Sequence, residues 1–415
     1  MKKTIHQLFA YFYNLNNFKY MKRFKNLCFI LVGGLFLISS CAEKEILEEE
    51  SEPSPYAIET EKMTIRVDTL YTDFESPWGM TWLPDGRMLV TERKGEILVF
   101  KDDKFTGEKL TGVPTVAEVN QAGLLDITIH PDYKKNGWIY LSYSRSQGDG
   151  EVLVISRAKL NGNALENLEE IFVCGPEWKG GRHFGSRIVF DKDNFLFFSN
   201  GDKGSRPQNA QELDNDHGKI HRIHDDGSIP EDNPFVNTAG ASPSIWTYGN
   251  RNPQGMIYDK ANNRIWAVEH GPKGGDELNL IQKGKNYGWP VISYGINYDG
   301  TILTELTEKE GMEQPVTYWV PSIATCGMTI VSSDKYPEWK GNILVGGLAG
   351  QQIARVELDG TTAAGEETLL KDIGRVRQVS ESPDGYLYAV TEATGLLVKL
   401  VRQKPNANTS AQAGE

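Results

Sequence analysis

Cysteine is scarce in this chain. Of four in 415 residues, only Cys174 and Cys326 lie beyond position 41. No C-x-x-C occurs, which leaves zinc ribbons and thioredoxin-like motifs without support; whether Cys174 and Cys326 pair stays open. The seven histidines form no H-E-x-x-H, and no G-x-S-x-G elbow of a serine hydrolase is present. A P-loop, a G-x-G-x-x-G turn and any long helical run of 3.6 period are missing as well. Positive charge is also in deficit: 44 Lys and Arg stand against 56 Asp and Glu. Six of the basic residues and none of the acidic ones fall in the first forty positions, so the rest carries 38 against 56, net −18. Phosphate contacts need clustered Lys and Arg, so nucleic acid is not an expected partner.

What is abundant is glycine (42), with 9 Trp and 17 Tyr, a composition that favours an all-β fold with many turns. Residues 1–40 read as a targeting segment, with Met21 as a candidate true start. Met21-Lys22-Arg23-Phe24-Lys25 is basic, and Leu27 to Ile38 is apolar but short of the roughly 20 residues that span a bilayer. The run Leu37-Ile38-Ser39-Ser40-Cys41 resembles a bacterial lipoprotein signal, lipidated at Cys41 after cleavage; an ordinary secretory signal is the alternative. Residues 41–60, acidic from Glu43, read as an extended tether. The expectation is an extracytoplasmic protein, in the periplasm or at the cell surface, anchored to a bacterial membrane through its lipid. Residues 61–402 are expected to form the folded domain and 403–415 a disordered tail.

Within that domain one pattern recurs six times: a turn of P-D-G or D-x-x-N type, then an aromatic or aliphatic strand. Pro84-Asp85-Gly86 leads to Arg87–Val90, Pro131-Asp132-Tyr133 to Gly137–Leu141, and Asp191–Asn194 to Phe195–Phe198. Asp259–Asn263 leads to Arg264–Val268, Pro337–Gly341 to Asn342–Val345, and Pro383-Asp384-Gly385 to Tyr386–Val390. Turn residues set the hairpin, and β-branched or aromatic residues supply the pleated surface. Six such units predict a six-bladed β-propeller, in which each blade buries its faces on its neighbours. A pair of β-sandwiches is the alternative. The extra residues between copies must sit in loops, where function is built.

Chemistry-bearing residues gather in those loops. Arg182-His183-Phe184-Gly185 puts a histidine after a Gly-Gly turn, at the expected start of a strand, and Ser199-Asn200-Gly201-Asp202 ends the same unit. Asp202 could hold the imidazole tautomer as a catalytic dyad requires, or His183 could be a packed histidine on a backbone carbonyl. Further on, Arg251 and Asn252 sit in a turn, a strand runs from Arg264 to Glu269, and His270-Gly271-Pro272 precedes Asp276 and Glu277. Gly271 and Pro272 before two acids suggest a hard-cation site, since calcium takes carboxylate and carbonyl oxygens; a solvated surface loop is the other reading. His217, His221 and His224 invite a zinc reading, but positions 221 and 224 of one strand face opposite sides.

Taken in order, SPWGMTWLPDGRMLVTER, NQAGLLDITIHPDY, HFGSRIVFDKDNFLFFSNGD, GKIHRIHDDGSIPEDNPF, YGNRNPQGM, EHGPKGGDELNLI, KNYGWP and GRVRQVSESPDGYLYAVTE resemble one family. It is that of the soluble, pyrroloquinoline quinone (PQQ) dependent aldose sugar dehydrogenases, which includes soluble glucose dehydrogenase. The resemblance runs from about Ser76 to Leu400. It implies oxidation of aldose sugars at C1 to aldonolactones, with PQQ and Ca2+ as cofactors and an electron carrier or quinone as acceptor. It implies His183 as general base, with hydride passing to PQQ, and Asp202 as its partner. It implies PQQ contacts at Arg251, Asn252, His270, Arg375 and Arg377. The period-2 spacing of Arg375 and Arg377 suits a ligand with several carboxylates. It further implies the carbonyls of Gly271 and Pro272 on the cofactor's calcium, Gln121 on the substrate side, and Glu277 with the carbonyl of Tyr287 on a second, structural calcium.

Two positions depart from the family. It often has a lysine near 347–350 to contact PQQ, where this chain has Ala349. Arg182 stands where the glucose enzyme has an acid that meets sugar, which argues against a glucose-specific pocket. A non-catalytic glycan- or protein-binding propeller and a metal-dependent lactonase are the alternative functions on such a fold.

Overall fold

The computed structural model describes residues 56–403; Cys41, the targeting segment, most of the tether and the tail beyond Gln403 lie outside the described residues. The described chain has 25 strands, one four-residue helix (Tyr133–Asn136) and two 3-10 turns. The strands form six antiparallel sheets set in a ring, a six-bladed β-propeller.

Each of the six turn–strand units is the hairpin between the first and second strands of one blade. Blade 1 is Pro77–Trp82, Arg87–Glu92, Glu96–Lys101 and Lys104–Lys109 in simple meander order. Blades 2 to 5 repeat that order, beginning with the strands Leu124–Ile129, Ile188–Phe190, Pro253–Asp259 and Thr325–Ile330. The chemistry of the hairpins explains the repeat. Each of them places one residue in the left-handed region, and that residue is always glycine or asparagine: Gly86, Gly137, Asn194, Asn263, Gly341 and Gly385, with φ between 53° and 86°. No Cβ, or a short polar side chain, tolerates that conformation.

The sixth blade is assembled from both ends of the domain. Arg375–Glu381, Leu387–Glu392 and Leu397–Arg402 continue outward into Thr64–Tyr71 and then Tyr56–Glu59. Ile65 lies opposite Arg402 and Val67 opposite Leu400. The strand Tyr56–Glu59 occupies residues expected to belong to the tether. Its Ile58 packs on the blade 5–blade 6 core, and this apolar contact outweighs the acidic composition that suggested an extended segment.

The core consists of six clusters, and each fills one interface between neighbouring blades. Met80, Met88, Val90 and Phe100 of blade 1 pack on Tyr388, Val390 and Leu397 of blade 6. Trp266, Val268 and Leu278 of blade 4 pack on Met328, Ile343 and Val345 of blade 5. A blade alone would expose both faces, so the ring is stable only when closed.

The first strands pack side by side in ring order, with Arg375–Glu381 meeting Pro77–Trp82 to close the circle. They are the innermost strands. Since each begins where its partner ends, residues before a first strand or after a second strand lie at one end of the axis. The hairpin turns lie at the other. A carboxylate recurs at this second-strand end. Glu92 accepts the N–H groups of Glu75 and Ser76 at 2.9 and 2.6 Å, tying down the segment that leads into its own blade. Glu269 does the same for Arg251 N and for Asn250 Nδ2. In blade 6 the equivalent Glu392 takes arginine side chains instead.

Candidate active site

Gln121, His183, Asp202, Arg251, Asn252, His270, Gly271, Pro272, Arg375 and Arg377 all lie at the end of the axis away from the hairpins. His183 does not open a strand as expected. It sits in the loop before Ile188–Phe190 with φ of 52°, a left-handed conformation outside the regular strand region. Three contacts impose it. His183 N donates to Gln121 Oε1 at 3.0 Å, Gly185 N donates to Asn252 Oδ1 at 3.0 Å, and the imidazole Nδ1 lies 2.6 Å from Asp202 Oδ1. The loop rests directly on Gly201, where a Cβ would come within 2.2 Å of the His183 carbonyl oxygen.

The His183 side chain is 12% exposed and that of Asp202 1%. The carboxylate on Nδ1 assigns the proton to that nitrogen and leaves the Nε2 lone pair free; among the described residues nothing donates to Nε2. Burial lowers the imidazole pKa, Arg251 and Lys203 lower it further, and Asp202 opposes them, so the ring is neutral at neutral pH. Burial alone would raise Asp202, but the hydrogen bond to His183 and the charge of Arg251 hold it below the usual carboxylate range. Asp202 also accepts from Gly204 N at 2.8 Å and, on its other oxygen, from Trp289 Nε1 at 2.7 Å. Trp289 belongs to the KNYGWP segment, where the sequence assigned a role to the Tyr287 carbonyl and none to the tryptophan. Its position after a glycine in a loop was the only available signal.

The cations stand beside this pair. Arg251 Nη1 donates to His270 O at 3.0 Å, while its Nε is buried without a partner. Arg377 gives Nη1 to Gln254 Oε1 at 2.7 Å and both Nε and Nη2 to Glu392 Oε1. Arg375 approaches the other oxygen of Glu392 at 3.4 Å, and its side chain is 42% exposed. Gln254 is a second residue missed from sequence. Its Oε1 also meets His270 Nε2 at 3.2 Å and Cys326 Sγ at 3.4 Å, so one amide ties three groups together. Burial and the charges of Arg251 and Arg377 keep His270 neutral. Cys174 and Cys326 are both buried free thiols.

The donor set fits PQQ and a hard cation. Arg251, Arg375 and Arg377 offer guanidinium groups to a ligand with several carboxylates, and the orphaned Nε of Arg251 adds an unused donor. Gly271 and Pro272 are buried, and among the described residues neither carbonyl accepts a hydrogen bond. Gly271 N is held by Asp276 Oδ1 at 2.9 Å, which fixes the bend. Asp276 is further engaged by Ser322 Oγ, so its carboxylate braces the bend. No cluster of three or more His, Cys, Asp and Glu side chains occurs among the described residues, so an ion at Gly271–Pro272 would rely on main-chain oxygens.

The second expected ion site is adjacent. Glu277 and Glu269 share the amide of Asn279, at 3.0 and 3.2 Å, and the Asn279 oxygen is buried without a partner. Burial raises the pKa of both carboxyls, and for Glu277 the Glu269 charge raises it further. The Tyr287 carbonyl accepts no hydrogen bond among the described residues; its hydroxyl donates to Leu280 O at 2.6 Å. A cation there would neutralise the paired acids.

Other expectations resolve simply. His217 meets Asn209 and the Pro176 carbonyl, His221 stacks on Phe198 at 4.7 Å, and His224 lies against Phe195. All three belong to the packing in and around blade 3. Ala349 carries no charge, but Lys371 reaches the neighbouring Gly350 carbonyl at 2.6 Å from a later turn. Arg182 is exposed beside His183.

The Glucose / Sorbosone dehydrogenase family profile matches residues 74–399. Aldose sugar dehydrogenase YliI of Escherichia coli K12 is 40% identical over 345 residues, covering 81% of this chain and 93% of its own length. Among solved structures, the soluble aldose sugar dehydrogenase of Escherichia coli in its apo-form aligns with a TM-score of 0.79 at 39% identity, over 82% of this chain and 100% of that one. The PQQ-bound form of aldose sugar dehydrogenase from Streptomyces coelicolor aligns with a TM-score of 0.67 at 29% identity, over 84% of this chain and 100% of that one.

Proposed function

This chain belongs to the glucose/sorbosone dehydrogenase family, and we propose that it oxidises aldose sugars at C1 to aldonolactones with PQQ and Ca2+ bound at the axial end of its ring. The observation that carries this reading is the neutral, partly exposed imidazole of His183, pinned to a buried carboxylate and flanked by the cation Arg251.

When bound, PQQ supplies an o-quinone that takes the hydride, polarised by its calcium ion. Arg251, Asn252, Arg375 and Arg377 would hold the cofactor, with His270 beside them, and the carbonyls of Gly271 and Pro272 would hold its ion. His183 Nε2 takes the proton of the C1 hydroxyl. Asp202 keeps that nitrogen aimed outward and stabilises the imidazolium that forms. Gln121 spends its oxygen on His183 N, which leaves its amide N–H groups for a sugar hydroxyl. Glu277 and the Tyr287 carbonyl would hold a structural calcium.

The reading includes an extracytoplasmic location, a lipid on Cys41 and an electron carrier or quinone as the final acceptor. It is tested by adding PQQ and Ca2+ to the purified protein and following aldose-dependent dye reduction. Reduction that needs both additions supports it. No reduction with any aldose and no PQQ spectral change would point to a non-catalytic propeller, and lactone hydrolysis without PQQ to a lactonase.

A further inference from the structure

We propose that Trp289 is the positioning residue that locks the Asp202–His183 pair and seats Arg251 beside it. The inference rests on the reading of His183 as the base. Asp202 Oδ1 is taken by His183 Nδ1 at 2.6 Å and Gly204 N at 2.8 Å, and Oδ2 by Trp289 Nε1 at 2.7 Å. The indole N–H therefore fixes the rotation of the carboxylate, and that rotation sets the direction from which Oδ1 meets the imidazole. The same indole lies 5.1 Å from the guanidinium carbon of Arg251, within cation–π range.

Trp289 is itself held firmly. Its backbone N–H donates to Gly249 O at 2.8 Å, and its carbonyl accepts from Gln211 Nε2 at 2.7 Å. Gly249 lies two residues before Arg251, so backbone and ring of Trp289 grip one segment at two points. Tryptophan suits this place because it combines an aromatic face for the cation with a single N–H donor. Without that N–H, Oδ2 would be a buried acceptor with no partner, a costly state relieved by Asp202 turning or by water entering. Either response loosens the imidazole.

Two replacements separate shape from the N–H: Trp289→Phe, and Trp289 exchanged for β-(3-benzothienyl)alanine, which keeps the bicyclic outline and lacks the donor. On the protein without added cofactor, proton NMR reads the His183 Nδ1–H resonance, assigned by its loss in His183→Gln. We expect it to move upfield or to vanish through exchange in both variants, while the benzothienyl variant keeps the parent's unfolding midpoint to within a few degrees. With PQQ and Ca2+ added, kcat for an aldose is expected to fall about tenfold, with KM within about twofold. An unchanged resonance in the benzothienyl variant, or a parent-like kcat, would overturn the proposal. The NMR measurement needs neither cofactor nor sugar. A parent protein that shows the N–H-dependent resonance and oxidises no sugar would therefore sink the proposed reaction and leave the role of Trp289 standing.

Discussion

Glu392 accepts Arg377 twice on one carboxylate oxygen, from Nε at 3.0 Å and from Nη2 at 2.6 Å. Both side chains are largely buried, at 13% and 9% exposure. The guanidinium is thus oriented before any ligand arrives, and its remaining nitrogen is fixed on Gln254. Removing one partner of a buried pair leaves the other charge uncompensated. Arg377→Met should lower stability by about 3–5 kcal/mol and abolish PQQ binding. The double variant Arg377→Met, Glu392→Gln should regain much of the stability and none of the binding. Thermal unfolding and a PQQ absorbance titration on the three proteins read both effects.

Arg375 gives the complementary case. It is half exposed and only loosely paired, so Arg375→Ala should leave the unfolding midpoint nearly unchanged. Loss of one charge-assisted contact should weaken PQQ by about tenfold or more. An affinity equal to the parent's, measured by titration, would remove Arg375 from the cofactor site.

The proposed base and its partner each predict a loss of turnover. His183→Ala should cut kcat by about 10²–10⁴-fold while PQQ still binds. Asp202→Asn places an amide against Nδ1 and can favour the wrong tautomer, so kcat should fall by a similar order. Steady-state kinetics with PQQ at saturation decide both, and retained turnover in His183→Ala would end its role as base.

Lys203 lies beneath the site, with Nζ on Asn200 Oδ1 at 2.7 Å and over the Phe184 ring at 3.7 Å. Burial pulls its pKa from 10.5 down to about 7. Between those values the unfolded chain binds a proton that the folded chain has released, so stability rises with pH across this window. Below about pH 7 the full cost of charging a buried lysine is present. Lys203→Met removes that dependence. Its stability relative to the parent should be greatest at and below pH 7 and should decline toward pH 10. Denaturant unfolding of both proteins at pH 7 and pH 10 provides the comparison; a difference independent of pH would contradict it.

Much of the fold was legible because its signal is local. The glycine or asparagine of each hairpin, the aromatic strand behind it and their sixfold recurrence all lie within a few residues of one another. The dyad was legible only as two motifs, since His183 and Asp202 are nineteen positions apart and meet through a loop whose conformation depends on Asn252 and Gln121. Gln254 and Trp289 were not legible. Each acts by touching residues from other blades or loops, and nothing in N-P-Q-G or Y-G-W-P announces a partner. The edge strand Tyr56–Glu59 was missed because charge in the preceding residues masked one half-buried isoleucine.

The pairing of Ile65 with Arg402 has a bearing on how the molecule is made. The first long strand to leave the ribosome, Thr64–Tyr71, can pair early with Tyr56–Glu59, but it finds its inner partner only when the last strand has followed. Until then the nascent chain carries an unpaired edge and an unfilled blade interface, and contacts this distant in sequence form slowly. The circle therefore latches only after the final strand has been made, and the order of synthesis is built into its closure.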